Sequence, residues 1–185
     1  MYYSLTTDGD ENTYMKKERG LNSHINLGMG RMWGVDEDRV TLPYRYTMSV
    51  VEGQEPRLDG WYPGSHLMQQ RLVELLQSSG ADNIQTFPAE IREEEGGALV
   101  LGYVVANIIG RVPCANMEQS EHEPLADVQY FHKLIINQSS TRGLLMFRVD
   151  ESPLVVLVHE RIARVIEAGG FEGLVLEPIT EARTE

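Results

Sequence analysis

Residues 66–88 read HLMQQRLVELLQSSGADNIQTFP. The stretch changes character halfway, and the change sets the fold class. Met68, Leu72, Leu75 and Leu76 fall at i, i+4, i+7 and i+8, while Gln69, Arg71, Glu74 and Gln77 lie off that stripe. One apolar face and one wet face predict an amphipathic helix, with Ser65 as its N-cap. Gly80 follows the last turn, where the chain needs a positive φ that glycine adopts freely. NIQTF (83–87) is then rich in strand formers, and Pro88, lacking an N–H, suits a strand end or a sheet edge.

Ninety residues on, the pattern returns. Val158, Ile162, Val165 and Ile166 repeat the stripe, Gly170 stops it, and GLVLEPI (173–179) reads as a strand ending on Pro178. Each helix must cover an apolar face, and each glycine lets the chain turn back so that a strand can lie beneath it. LVLE is more apolar than IQTF, so the second strand is expected to be the more central.

Working outward, YYSL (2–5), YRYTMSVV (44–51), FHKLIIN (131–137), LLMFRV (144–149) and LVVLV (154–158) read as strands. ALVLGYVVANIIGRV (98–112) reads as a buried strand bent at Gly102. Residues 6–42, with DGDEN, GMGRMWG and DED, read as loops around one short strand, and 52–65 is turn-rich. REEEGG (92–97) is a charged turn. CANMEQSEHEPLADVQ (114–129) is expected to be a surface connection or short helix, and TEARTE (180–185) a frayed tail. GSHLM (64–68) has the look of a cloning remnant, but it lies inside the chain and is read as native. The expected fold is α+β: a mixed, mostly antiparallel sheet packed by two main helices, built on a repeated helix–Gly–strand–Pro unit. It forms a single domain over 1–185, with an irregular part at 1–65.

The 185 residues carry 16 Lys and Arg against 28 Asp and Glu, a net charge of −12. That excess disfavours nucleic acid and anionic membrane, whose binding needs cations to displace counterions. It favours a basic partner, and acidic surfaces also serve solubility. The one cysteine, Cys114, precludes an internal disulfide and fits a reducing, cytoplasmic setting. It reads as a packing residue rather than a nucleophile. No apolar run reaches membrane-spanning length, and MYYSLTTDGDENTYMKK lacks a secretory pattern.

Motifs for chemistry fail on spacing. HERIAR (159–164) has Ala163 where a zinc-protease helix needs its second histidine. Gly28, Gly30 and Gly34 miss the dinucleotide spacing, and no helix follows them. His122 and His132 lie near Glu118, Glu121, Glu123 and Asp127, but match no standard ligand pattern and read as part of a solvated acidic loop. No cofactor and no catalytic set is expected. Trp33 and Trp61 are either interface anchors or lids on the core. The acidic triplets Asp36, Glu37, Asp38 and Glu93, Glu94, Glu95 read as exposed turns that matter if the partner is basic.

Several stretches, in order and spacing, resemble the bacterial immunity protein 11 family, first described as a domain of unknown function and abundant in myxobacteria. They are YYSL, LMQQRLVELLQSSGADNIQTFPAEI, GYVVANIIGRVPCANMEQSE, KLIINQSSTRGLLMFRV and LVHERIARVIEAGGFEGLVLEPI. The match covers 66–179 well and the first 65 residues loosely. Members often carry Ser at the position of His159. The resemblance implies an antidote in a polymorphic-toxin system, which binds one cognate toxin and protects the producing cell, with no catalytic residues to carry over. Acidic segments 36–38, 93–95 and 116–127 are then expected to cover a cationic groove on the toxin. The alternatives are a small hydrolase with a dispersed site, or an interaction or scaffold protein unrelated to toxins.

Overall fold

A computed structural model describes residues 1–9 and 12–182. From the N-terminus run β1 (Tyr2–Thr7), β2 (Thr13–Lys17), β3 (Tyr44–Val50), β4 (Trp61–Tyr62) and β5 (Leu67–Gln69), then α1 (Gln70–Ser78). Next come β6 (Ile84–Glu93), β7 (Leu99–Val100), β8 (Tyr103–Ile108), β9 (Arg111–Val112), β10 (Glu121–Leu125), β11 (Val128–Lys133) and β12 (Ile135–Ile136). β13 (Met146–Val149) and β14 (Ser152–His159) lead into α2 (Glu160–Gly169), followed by β15 (Leu174–Pro178) and β16 (Thr180–Glu181). The class is α+β, with mixed, mostly antiparallel sheets and two helices. One sheet has the order β15-β1-β14-β13-β9, another β2-β3-β6-β8-β5-β4 with β7 beside β6. The hairpin β10–β11 and the parallel pair β12–β16 stand apart from both. Asp10 and Glu11 of the DGDEN stretch, and 183–185 of the expected frayed tail, lie outside the described residues; Thr180 and Glu181 of that tail are strand, paired with Ile135 and Ile136.

The first helix starts later than its stripe suggests. Leu67, Met68 and Gln69 are strand, paired with Val105, Val104 and Tyr103. Ser65 is therefore not the N-cap; Gln69 holds that place and makes no side-chain cap bond. Both faces of this short strand are covered, Met68 by the helices and Leu67 by the inner face of the larger sheet. A strand buried on both faces is apolar at consecutive positions, and here that run merges with the stripe of the helix behind it.

Both helices sit in the same strand–helix–strand arrangement. β5 and β6 flank β8, antiparallel to it, and β14 and β15 flank β1 in the same way. The registers correspond: Met68 and Pro88 both face Val104, and Val158 and Pro178 both face Tyr3. The helix–Gly–strand–Pro unit does not recur in full. Gly170 caps α2 with φ 61°, whereas α1 ends on Ser79 and Gly80, at φ 102°, comes one residue later. Pro178 ends its strand, but Pro88 lies inside β6, one residue before the ladder to β3 begins at Ala89.

The expected order of centrality is reversed. β15 is an edge strand, and β6 lies between β3 and β8. Apolar content reports what covers a strand's face, not how many neighbours pair with it. Leu174 and Leu176 pack on the α1–α2 cluster from the edge, while Gln85 inside the larger sheet bonds the backbone of Trp33 and the amide of Asn107.

Three buried clusters result. The first joins both helices to one face of the five-stranded sheet through Leu72, Leu76, Ile162, Ile166, Val156 and Val158. The second fills the inner face of the larger sheet against residues 25–40. The third covers the other face of the five-stranded sheet, where Tyr2, Phe147 and Leu157 meet Cys114 and Ile136. Of residues 98–101, expected to be buried, only Val100 is half-buried, against the second cluster; Leu99 and Leu101 are exposed, and the strand is fully buried only past Gly102, at φ 86°.

A polar clasp joins the two sheets. The Arg57 guanidinium donates to both oxygens of the buried Asp59 carboxylate, at 2.6 and 3.0 Å, and also to Asp8. Tyr103 Oη donates to the Asp59 carbonyl at 2.7 Å. Gly60 N donates to Glu172 O and Asp8 N to Gly173 O, so the clasp spans the ends of β1, β4 and β15.

Candidate partner-binding surface

Residues 114–129, expected to be a connection or short helix, instead form most of a β-hairpin. Glu121 pairs with Lys133, His122 with Phe131, Glu123 with Tyr130 and Leu125 with Val128, around a turn at Ala126 and Asp127. Ala126 adopts a positive φ of 51° at the turn. A lone hairpin is marginal in water, so its attachment matters. Gln129 N donates to Glu151 O at 2.8 Å, and Phe131 packs on the third cluster. Both ring nitrogens of His122 are engaged, with Gln129 Oε1 at 3.0 Å and Met117 O at 3.2 Å.

What the hairpin shows to solvent is acidic, with apolar points between. Glu121, Glu123 and Asp127 of the hairpin and Glu118 just before it are all exposed, and Lys133 is the only Lys or Arg on either strand. Glu123 lies 3.7 Å from His132. Leu125 and Tyr130 are 54% and 50% exposed, large apolar groups that the third cluster leaves uncovered. The expected strand at 131–137 overlaps only the end of β11, so Leu125 and Tyr130 fall in what reads as a surface connection.

The other expected acidic residues are elsewhere. Asp36 and Glu37 are exposed in the turn at 35–39. Asp38 is tied inward, its carboxylate accepting from Arg31 Nη2 at 2.6 Å and from Gly34 N at 2.8 Å. Glu93 is not in a turn but in β6, opposite Met48. Glu94 accepts from Ser49 Oγ, and Glu95 is exposed. Segment 36–38 is linked through Trp33 to Gln85, near the start of β6, and Glu93 ends that strand. Eight residues of strand separate these two points by roughly 25 Å. The hairpin is attached to the other sheet.

The two tryptophans resolve toward the core. Trp61 is 3% exposed within the helix-facing cluster. Trp33 is half-buried against the inner face of the larger sheet, with the Arg31 guanidinium 4.3 Å from its ring.

Chemical groups are placed for structure. Cys114 is 1% exposed, and burial, with Glu151 nearby, pushes its thiol up to about 12. A thiol so raised is protonated at neutral pH and a poor nucleophile. His159 caps α2, its Nδ1 accepting from Arg161 N at 3.2 Å. Among the described residues no three His, Cys, Asp or Glu side chains converge as metal ligands, and no helix is long and apolar enough to cross a membrane.

No curated protein matches the chain. The model of the Immunity protein family (Imm11) matches residues 9–181, which takes in β2 through β16 and both helices. The chain therefore belongs to the immunity protein 11 family.

Proposed function

We propose that the protein neutralises a basic toxin domain by direct binding in the cytoplasm of the producing cell, and that the β10–β11 hairpin is its main contact surface. Family membership supports an immunity function and a toxin partner in general. The observation that carries the finer reading is the hairpin itself: three exposed carboxylates, with Glu118 just before them, beside exposed Leu125 and Tyr130, on an element that pairs with neither sheet. Apolar anchors desolvated at the centre of a contact supply affinity, while surrounding carboxylates steer a cationic partner and fix its register. Neutralisation then works by covering the toxin's cationic site and needs no chemistry from the antidote. Asp36, Glu37 and Glu95 add to the long-range field rather than to the contact.

The test pairs the protein with the product of the adjacent gene. Co-expression should rescue growth, and the two should co-purify as a stable complex. Rescue without stable binding would point to enzymatic detoxification and would sink the proposal.

A further inference from the structure

A second site lies away from the hairpin. A pocket of about 330 Å³ opens between the C-terminal end of β2, residues 23–27 and the tight turn at 63–66. Its polar lining is Lys17, Ser23, Asn26, Tyr46, Ser65 and His66. In a chain with 28 acidic residues, no carboxylate lines it.

Its groups point to one kind of ligand. Lys17 has no carboxylate partner among the described residues; its ammonium donates to Asn22 O at 3.3 Å and lies 4.9 Å from the Tyr44 ring centroid. Two of its three protons remain for a ligand. Asn26 uses its Oδ1 to accept from Gly28 N, which leaves its amide NH₂ as a donor. His66 makes no side-chain hydrogen bond among the described residues, although its ring is largely enclosed. Its backbone is held at φ 59°, in the left-handed region that histidine adopts more readily than most residues. Two backbone bonds enforce this, His66 N to Pro63 O and Ala106 N to His66 O. Burial lowers Lys17, and burial, with Arg148 and Lys17 nearby, pushes His66 down to about 4. Both groups are desolvated cations or potential cations without a counter-charge, the situation an incoming anion relieves.

We infer that this pocket binds a small oxyanion, a carboxylate or a phosphate, through the Lys17 ammonium, the Asn26 amide and the His66 imidazole. The volume is at the lower end for small-molecule sites and suits a metabolite-sized ligand. Toxin binding through the hairpin does not depend on it.

The probes are inorganic phosphate and succinate, titrated separately into the full-length protein and followed by amide and imidazole NMR shifts. At least one should bind saturably with a Kd at or below about 1 mM, with the largest shifts at residues 17, 23–26 and 65–66. Saturation by one probe alone identifies which oxyanion the site prefers. Lys17→Met should weaken binding about tenfold, the loss of one charge-assisted hydrogen bond. His66→Asn keeps a residue that tolerates left-handed backbone and should weaken it less. Lys16→Met, exposed on the same strand but outside this lining, should leave it unchanged. Lack of saturation by either anion would overturn the inference. So would shifts centred elsewhere, or equal losses from Lys16→Met and Lys17→Met.

Discussion

His66 shows how a residue's surroundings set its contribution to stability. Unfolded, its imidazole takes a proton near the ordinary value of 6.5; folded, burial and the neighbouring cations hold it near 4. Between these values the unfolded chain binds more protons. The contribution is therefore complete above pH 6.5 and is lost as pH falls toward 4, by about 3 kcal/mol in all. Chemical denaturation at a series of pH values should show this slope in the wild type. His66→Asn should remove it, and identical slopes in the two proteins would mean that the imidazole titrates normally in the fold. This behaviour was not legible in the sequence, where His66 is one residue of a predicted helix. Its left-handed backbone comes from the turn at 63–66 and from a bond to β8, a long-range partner that no local pattern encodes.

Between elements, the clasp around Asp59 carries the most specific expectation. Gly173 has φ 73°, and a Cβ there would lie 2.3–2.5 Å from the Asp59 carboxylate. Gly53 has a similar φ, 79°, with nothing within 4 Å. Gly53→Ala should therefore cost only the backbone term, about 1 kcal/mol. Gly173→Ala adds a collision with a buried ion pair and should cost about 2–4 kcal/mol. Urea denaturation of the two variants separates these effects; equal losses would mean that Asp59 shifts freely and the clasp is slack. Here the sequence was legible in part. The amphipathic stripes located both helices and the glycines their ends, because helix period and stop are local properties. The order of strands was not, because β15 is apolar for the helices it lies against, and the polar residues of β6 find partners in Trp33 and Asn107. The first strand of the hairpin was not legible because EHEPL is charged and almost wholly exposed, with no period-2 pattern to mark it.

At the scale of the whole molecule, a charge of −12 is distributed unevenly. Asp38, Asp59 and Glu94 are bound to protein groups, whereas the hairpin and the turn before it leave Glu118, Glu121, Glu123 and Asp127 exposed. The acidic balance and the family were both legible in the chain. Which acids are free was not, because that depends on partners such as Arg31 and Ser49, brought close only by the fold. The most direct measurement is the affinity for the cognate toxin, at low and moderate salt, of the wild type and two variants. One replaces Glu118, Glu121, Glu123 and Asp127 by Lys, and the other replaces Leu125 and Tyr130 by Ala. Charge reversal should weaken binding at least about 100-fold at low salt, chiefly by slowing association, with a smaller gap at moderate salt. The Leu125→Ala, Tyr130→Ala pair should lose about 2–4 kcal/mol, seen as faster dissociation and little changed by salt. Wild-type affinity in both variants, each with an unaltered thermal unfolding curve, would contradict the hairpin as the surface that meets the toxin.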